Sequence, residues 1–147
     1  MKIIYRSLFV GLLLFVLASC SSQNTDIQKP LQRQWMMVSF NGFTKEQLMS
    51  KKAEINITSS TDTKEAVLNA SAFMGCNRMN GSVKVESNNR LKFNDMIMTQ
   101  MACDDMKLED EFVKKLPSVN HYKIEGHFLT LYKDQEELMK FVAADWD

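Results

Sequence analysis

The 147 residues carry 18 basic and 18 acidic side chains and are 45% hydrophobic. No basic patch stands out, which disfavours a nucleic-acid partner. The length suits one domain, with a single core able to bury roughly two thirds of the unfolded surface. At the N-terminus, Lys2 and Arg6 precede an apolar run from Leu8 to Ala18, interrupted only by Gly11. A short basic region before a short apolar core is the pattern of a secretory signal. The run falls short of the ~20 apolar residues that a spanning helix needs.

Leu17-Ala18-Ser19-Cys20 follows the apolar run and resembles the lipobox of bacterial lipoproteins. The resemblance implies removal of a signal peptide, residues 1–19, and acylation of Cys20 on its sulfur and its new amine. Several acyl chains anchor durably, because each buried methylene adds ~0.8 kcal/mol. The alternative is an ordinary secreted protein with a free or disulfide-bonded Cys20. Loss of Lys2 and Arg6 leaves two more acidic than basic residues. Ser21 to Lys29 is polar apart from Ile27, and Pro30 ends it, so residues 20–30 read as a lipidated tether. The domain occupies residues 31–147. Ser21 differs from the aspartate that retains some bacterial lipoproteins in the inner membrane. The expected address is therefore the cell envelope, at the outer rather than the inner membrane, with the domain in the periplasm.

Gln34 to Phe40 reads as a first strand, broken at Asn41-Gly42. Thr44 and Gln47 form a capping box, and Phe43 and Leu48 are spaced for a hydrophobic staple, which predicts a short helix. Glu54 to Thr58 alternates polar and apolar residues, the sign of a half-buried strand. Ala66 to Met74 reads as a strand of small residues ending at Gly75. Ser82–Glu86 and Arg90–Asn94 alternate around Ser87-Asn88-Asn89, where asparagine tolerates the left-handed angles of a tight hairpin. Met96 to Met101 reads as one more extended segment. Asp104 to Leu116 is the main helix: Leu108, Phe112 and Leu116 recur on one face, Val113 widens it, and Pro117 stops it. Acidic residues open this helix and Lys114-Lys115 close it, as the helix dipole favours. His121–Ile124, His127–Lys133 and Glu137–Ala143 read as three antiparallel strands. The expectation is an α+β domain, mostly antiparallel β, curled into a small open barrel with one long and one short helix. A two-layer sheet with the helix on one face is the alternative.

Gly75-Cys76-Asn77-Arg78, then Asn80-Gly81, then Thr99-Gln100-Met101-Ala102-Cys103 resemble the motifs of the META domain. This is the family of the heat-shock protein HslJ and related bacterial lipoproteins. The likeness runs from Trp35 to the acidic helix after Cys103 and the hairpin of Tyr122, Gly126, Leu129 and Leu131. It implies an envelope protein linked to stress or drug tolerance, with no established enzymatic mechanism, no cofactor and no catalytic residues to carry over. The motif residues are Gly75, Asn77, Arg78, Gly81, Thr99 and Met101. Read physically, Gly75 and Gly81 permit angles that other residues avoid, and Asn77 and Asn80 can bond their own turn backbone. With Cys20 lipidated, Cys76 and Cys103 make an even pair in an oxidising compartment. Joined, they would contribute roughly 3–4 kcal/mol. A free thiol pair and a redox or metal site are the other readings.

Met96, Met98, Met101, Cys103 and Met106 form a dense run of soft donors, the type that selects Cu(I), although methionine is also a common core filler. His121 and His127 could face each other across Glu125-Gly126, but zinc needs more ligands. Glu109, Asp110 and Glu111 beside Asp104-Asp105 read as the solvated face of the helix. Trp35 and Trp146 read as core and terminal packing. The reading is a non-enzymatic envelope protein, attached to the membrane by its N-terminal lipid, that binds a protein or a small hydrophobic ligand and assigns no residue to metal. A Cu(I)-handling protein using Met96–Met106 is the alternative.

Overall fold

The computed structural model describes residues 28–61 and 66–146. The expected signal peptide, Cys20 and most of the expected tether lie outside the described residues. In chain order come β1 (Gln34–Phe40), α1 (Lys45–Ser50), β2 (Glu54–Ser59), β3 (Val67–Phe73), β4 (Arg78–Glu86), β5 (Arg90–Met98), α2 (Lys107–Lys115), β6 (His121–Glu125), β7 (Phe128–Lys133) and β8 (Glu136–Ala143). Short 3-10 turns cover Lys29–Leu31 and Leu116–Ser118. Each strand pairs antiparallel with the next, and β8 returns to β1, so the eight strands form a barrel. This decides for the barrel over the two-layer sheet. The ring is thinnest between β5 and β6, which share only the Arg90–His121 pair. Beyond Arg90, β5 runs on without β6 beside it, and the turn at Leu116–Ser118 packs against it instead.

Alternation drives the strands. Ile55 and Ile57, Leu68, Ala70 and Ala72, Val83 and Val85, and Leu91 and Phe93 all turn inward and are buried. Trp35 is fully buried, and its indole N–H donates to the Leu31 carbonyl at 2.9 Å, so the tryptophan ties the domain's first turn to the core. Helix α2 adds Leu108 and Phe112, and Leu116 follows in the turn after it. The Thr44 box forms as read: Gln47 N–H donates to Thr44 Oγ1 at 3.3 Å, and Thr44 N–H donates to Gln47 Oε1 at 2.8 Å. Asn88 and Asn89 take φ of 59° and 56° at the β4–β5 turn, the left-handed values their sequence anticipates.

Three boundaries differ from the sequence reading, each for a tertiary reason. Strand β4 begins at Arg78, because Asn80 pairs across to Ser71 and Ile97 rather than bonding its own turn. Strand β5 absorbs the segment from Met96 into one run to Met98, interrupted by an irregularity where Asp95 takes φ 52°. Helix α2 starts at Lys107 and not Asp104, because Asp105 leaves the helix to bond outward; its Oδ1 accepts the Lys107 N–H at 3.3 Å.

Candidate functional site

The two motif segments meet at one corner of the barrel, between the start of β4, the loop after β5 and the first turn of α2. Gly75 turns the chain there with φ +106°, an angle that favours glycine. A side chain at this position would also strike Lys51, whose Cδ lies 2.6 Å from where a Cβ would stand. The next residue, Cys76, is disulfide-bonded to Cys103, with their Cα atoms 6.2 Å apart. The pairing expected from the residues is the one observed, and the free-thiol and metal readings of these two sulfurs fall.

Asn77 is the hub. It is fully buried, and Glu109 of α2, 1% exposed, lies against it. The Asn77 backbone N–H donates to Glu109 Oε2 at 2.6 Å, and its Nδ2 donates to Glu109 Oε1 at 2.7 Å. Its Oδ1 accepts from the Met101 N–H at 2.7 Å and from the Thr99 hydroxyl at 2.8 Å. Its Nδ2 also donates to the Met101 carbonyl at 3.1 Å. The Thr99 oxygen in turn accepts the Arg78 N–H at 3.1 Å. One side chain therefore joins strand, loop and helix. Among the described residues, no buried side-chain oxygen or nitrogen lacks a partner, which is what makes a buried carboxylate tolerable. Lys51 fastens the same loop from outside: its Nζ donates to the Asp105 carbonyl at 3.1 Å and meets Asp105 Oδ2 at 3.0 Å. That ammonium, with the Lys107 N–H, holds the Asp105 carboxyl below the usual carboxylate range.

Several readings change here. Glu109 is not on the solvated face; it stands three residues before Phe112 and seven before Leu116, the spacing of the buried face. That spacing is a signal the sequence held. Asn77 bonds across the corner and not within its own turn. Gly81 is needed for space and not for angle: a Cβ there would lie 2.7 Å from both the Asn94 carbonyl oxygen and the Met96 sulfur. Arg78 is exposed, with its guanidinium 5.4 Å over the Phe73 ring. Met101, 55% exposed, serves the corner through its backbone, so its side chain is free of it. The motif is thus an architectural joint.

Beside this joint lies a half-open apolar cavity of about 300 Å³. Met79 forms its floor with Phe93, Met96 and Met98; Val113, Leu116 and Pro117 form the helical wall, and Asp95 stands at the rim. It exists because β5 outruns β6, leaving a gap that α2 covers only in part. The methionine run divides accordingly. Met96 and Met98 line the cavity, Met101 is exposed on the loop, and Cys103 gives its sulfur to the disulfide. The thiolate that the copper reading needs is therefore occupied. His121 pairs with Tyr132 at one end of the β6–β7 hairpin, while His127 sits at the other, stacked on Trp146 at 4.6 Å. The two histidines do not converge, and Trp146 packs at the terminus as expected. Among the described residues, no group of three or more His, Cys, Asp or Glu side chains is placed to hold a metal ion.

The sequence pattern of the META domain matches residues 26–146. The chain belongs to the META domain family. Solved structures share the fold. A protein known from an NMR structure is 21% identical, with 85% of this chain and 97% of that one covered and a TM-score of 0.59. A DUF4847 family protein from Bacteroides vulgatus ATCC 8482, in a crystal structure, is 12% identical, with coverage of 82% and 99% and a TM-score of 0.56. A protein from Burkholderia xenovorans, in an NMR structure, is 20% identical, with coverage of 88% and 94% and a TM-score of 0.56. No curated protein matches the chain. This META domain is a small α+β barrel, and no enzymatic family is indicated by its membership or its neighbours.

Proposed function

We propose that this META domain is a non-enzymatic binding protein of the cell envelope whose ligand is a small hydrophobic molecule, seated in the cavity of Met79, Phe93, Met96 and Met98. The observation that carries the reading is the cavity's size and lining. About 300 Å³ is at the lower end of small-ligand sites, and the walls are apolar with one carboxylate, Asp95, at the rim. Methionine suits the task, since its flexible, polarizable side chain adapts to varied shapes. A compact hollow favours a small ligand over a protein partner, which would call for a flat apolar patch. In this reading, Cys20 is acylated and holds the domain at the outer membrane, on its periplasmic side. Sequestering apolar compounds there would serve tolerance of stress or drugs.

The cavity is tested by titrating the domain with the uncharged fluorophore N-phenyl-1-naphthylamine. Enhanced emission is expected, and it should vanish in Met98→Trp, which fills the hollow from its side. Equal emission from that variant, folded by circular dichroism, would refute the site. The anchor is tested separately by feeding cells labelled palmitate: label on the wild-type chain and none on Cys20→Ser is expected, whereas an unlabelled wild-type chain overturns the anchor.

A further inference from the structure

Two rows at the centre of the outer face of β2 to β5 carry no charge. The register aligns Asn56, Ser71, Asn80 and Ile97 in one row across four strands. The next row is Thr58, Asn69, Ser82 and Asn94. Seven of these eight outward positions carry uncharged hydrogen-bonding groups. At a strand spacing of ~4.8 Å, the two rows extend about 14 Å across the sheet. A shallow depression of about 260 Å³ lies among them, above the small Ala70 and Gly81. Charged residues bound the two rows, with Glu54 and Arg78 in the row before them and Lys84 and Lys92 in the row after, and β6 to β8 carry Lys123, Glu125, Lys133, Glu136, Glu137 and Lys140.

Two physical points say that this neutral face is not surface filler. First, asparagine is depleted in strands, where β-branched and aromatic residues fit better. Four asparagines, Asn56, Asn69, Asn80 and Asn94, one on each of four adjacent strands, break that local rule, and such breaks gather at functional sites. Second, the hydrogen-bonding capacity is unspent. Asn69 Nδ2 reaches the Ser59 carbonyl at 3.0 Å and Asn94 Nδ2 the Lys92 carbonyl at 3.4 Å. Among the described residues, the side chains of Asn56, Thr58, Ser71, Asn80 and Ser82 have no hydrogen-bond partner.

We propose that the outer face of β2–β5 binds an uncharged glycan. Each asparagine amide offers donors and an acceptor side by side, and each hydroxyl does both, which matches the paired donors and acceptors of vicinal sugar hydroxyls. Charge complementarity selects a neutral glycan, because neither row carries a charge, and the charges that bound them are of both signs, Glu54 and Arg78 on one side and Lys84 and Lys92 on the other. Ile97, 76% exposed at the end of the upper row, supplies an apolar contact for the C–H face of a sugar ring. The site lies on the outside of the sheet and uses none of the cavity's lining residues, so it stands apart from the hydrophobic-ligand reading.

The test is a titration of the isotope-labelled domain with two neutral oligosaccharides, tetra-N-acetylchitotetraose and cellotetraose, followed by NMR. With at least one of them, shifts are expected at the side-chain amides of Asn56, Asn69 and Asn80, saturating with a Kd of about 1 mM or tighter. The double variant Asn56→Ala/Asn80→Ala, whose changes are solvent-facing, should melt as the wild type does and bind about tenfold more weakly. No shift with either sugar at about 10 mM, shifts centred elsewhere, or unchanged affinity in a folded double variant would each overturn the proposal.

Discussion

Two regions of this barrel are equally dry and are held in different ways. At the corner of β4 and α2, Asn77 and Glu109 are 0% and 1% exposed, and every buried polar side-chain atom among the described residues is paired. On the β7–β8 side, Leu129, Leu131 and Phe141 are each 0% exposed, and the ladder between these strands is backed by apolar side chains. The first region depends on which atom stands where, because a buried donor or acceptor left unmatched costs its full desolvation. The second depends on volume, because dispersion and the hydrophobic effect have no direction. The family motif falls in the first region for that reason.

The sharpest way to break this contrast is a change of one atom. Asn77→Asp keeps the shape of the hub but turns the Nδ2 donor, 2.7 Å from Glu109 Oε1, into a second carboxylate oxygen. A loss of about 3–5 kcal/mol in urea unfolding at neutral pH is expected, from an uncompensated buried charge. A loss below about 1 kcal/mol would mean that the corner tolerates atom identity as the apolar side does. Next in size is Cys76→Ala/Cys103→Ala. The two residues are 27 apart in sequence, and removing their bond should cost roughly 3–4 kcal/mol. That is a large share of a typical ~5–15 kcal/mol total. Gly81→Ala inserts a methyl 2.7 Å from the Asn94 carbonyl oxygen. It should cost about 1–3 kcal/mol by overpacking, read as a lower midpoint at unchanged m-value. The smallest effect belongs to the apolar side. Leu129→Met changes shape at nearly constant volume, and less than about 1.5 kcal/mol is expected. A larger loss there than in Asn77→Asp would reverse the comparison.

Much of the fold was legible because it rests on local rules. The Thr44 capping box, the Asn88-Asn89 turn and the inward alternation of Ile55 and Ile57 are each readable within a few residues, and each forms. The corner was legible only in part. The cysteine pair and the importance of Asn77 and Thr99 were visible, but not the carboxylate they serve. Glu109 sits in a run of acids that reads as a solvated face, and only its spacing from Phe112 and Leu116 argued otherwise. Gly81 read as a flexible angle because crowding by Asn94 and Met96, from another strand, leaves no trace beside it in the chain.

The amino-acid order alone determined most of the strands, the capped short helix and the Asn88-Asn89 turn, since periodicity and capping are properties of short stretches. Only the tertiary structure decided for the barrel and for the Cys76–Cys103 bond, that β5 outlasts β6 and leaves a hollow beside α2, that a buried acid completes the motif, and that four asparagines gather in two neighbouring rows. Those features come from register between distant segments, and register is set by how whole strands share one core, not by any residue's neighbours.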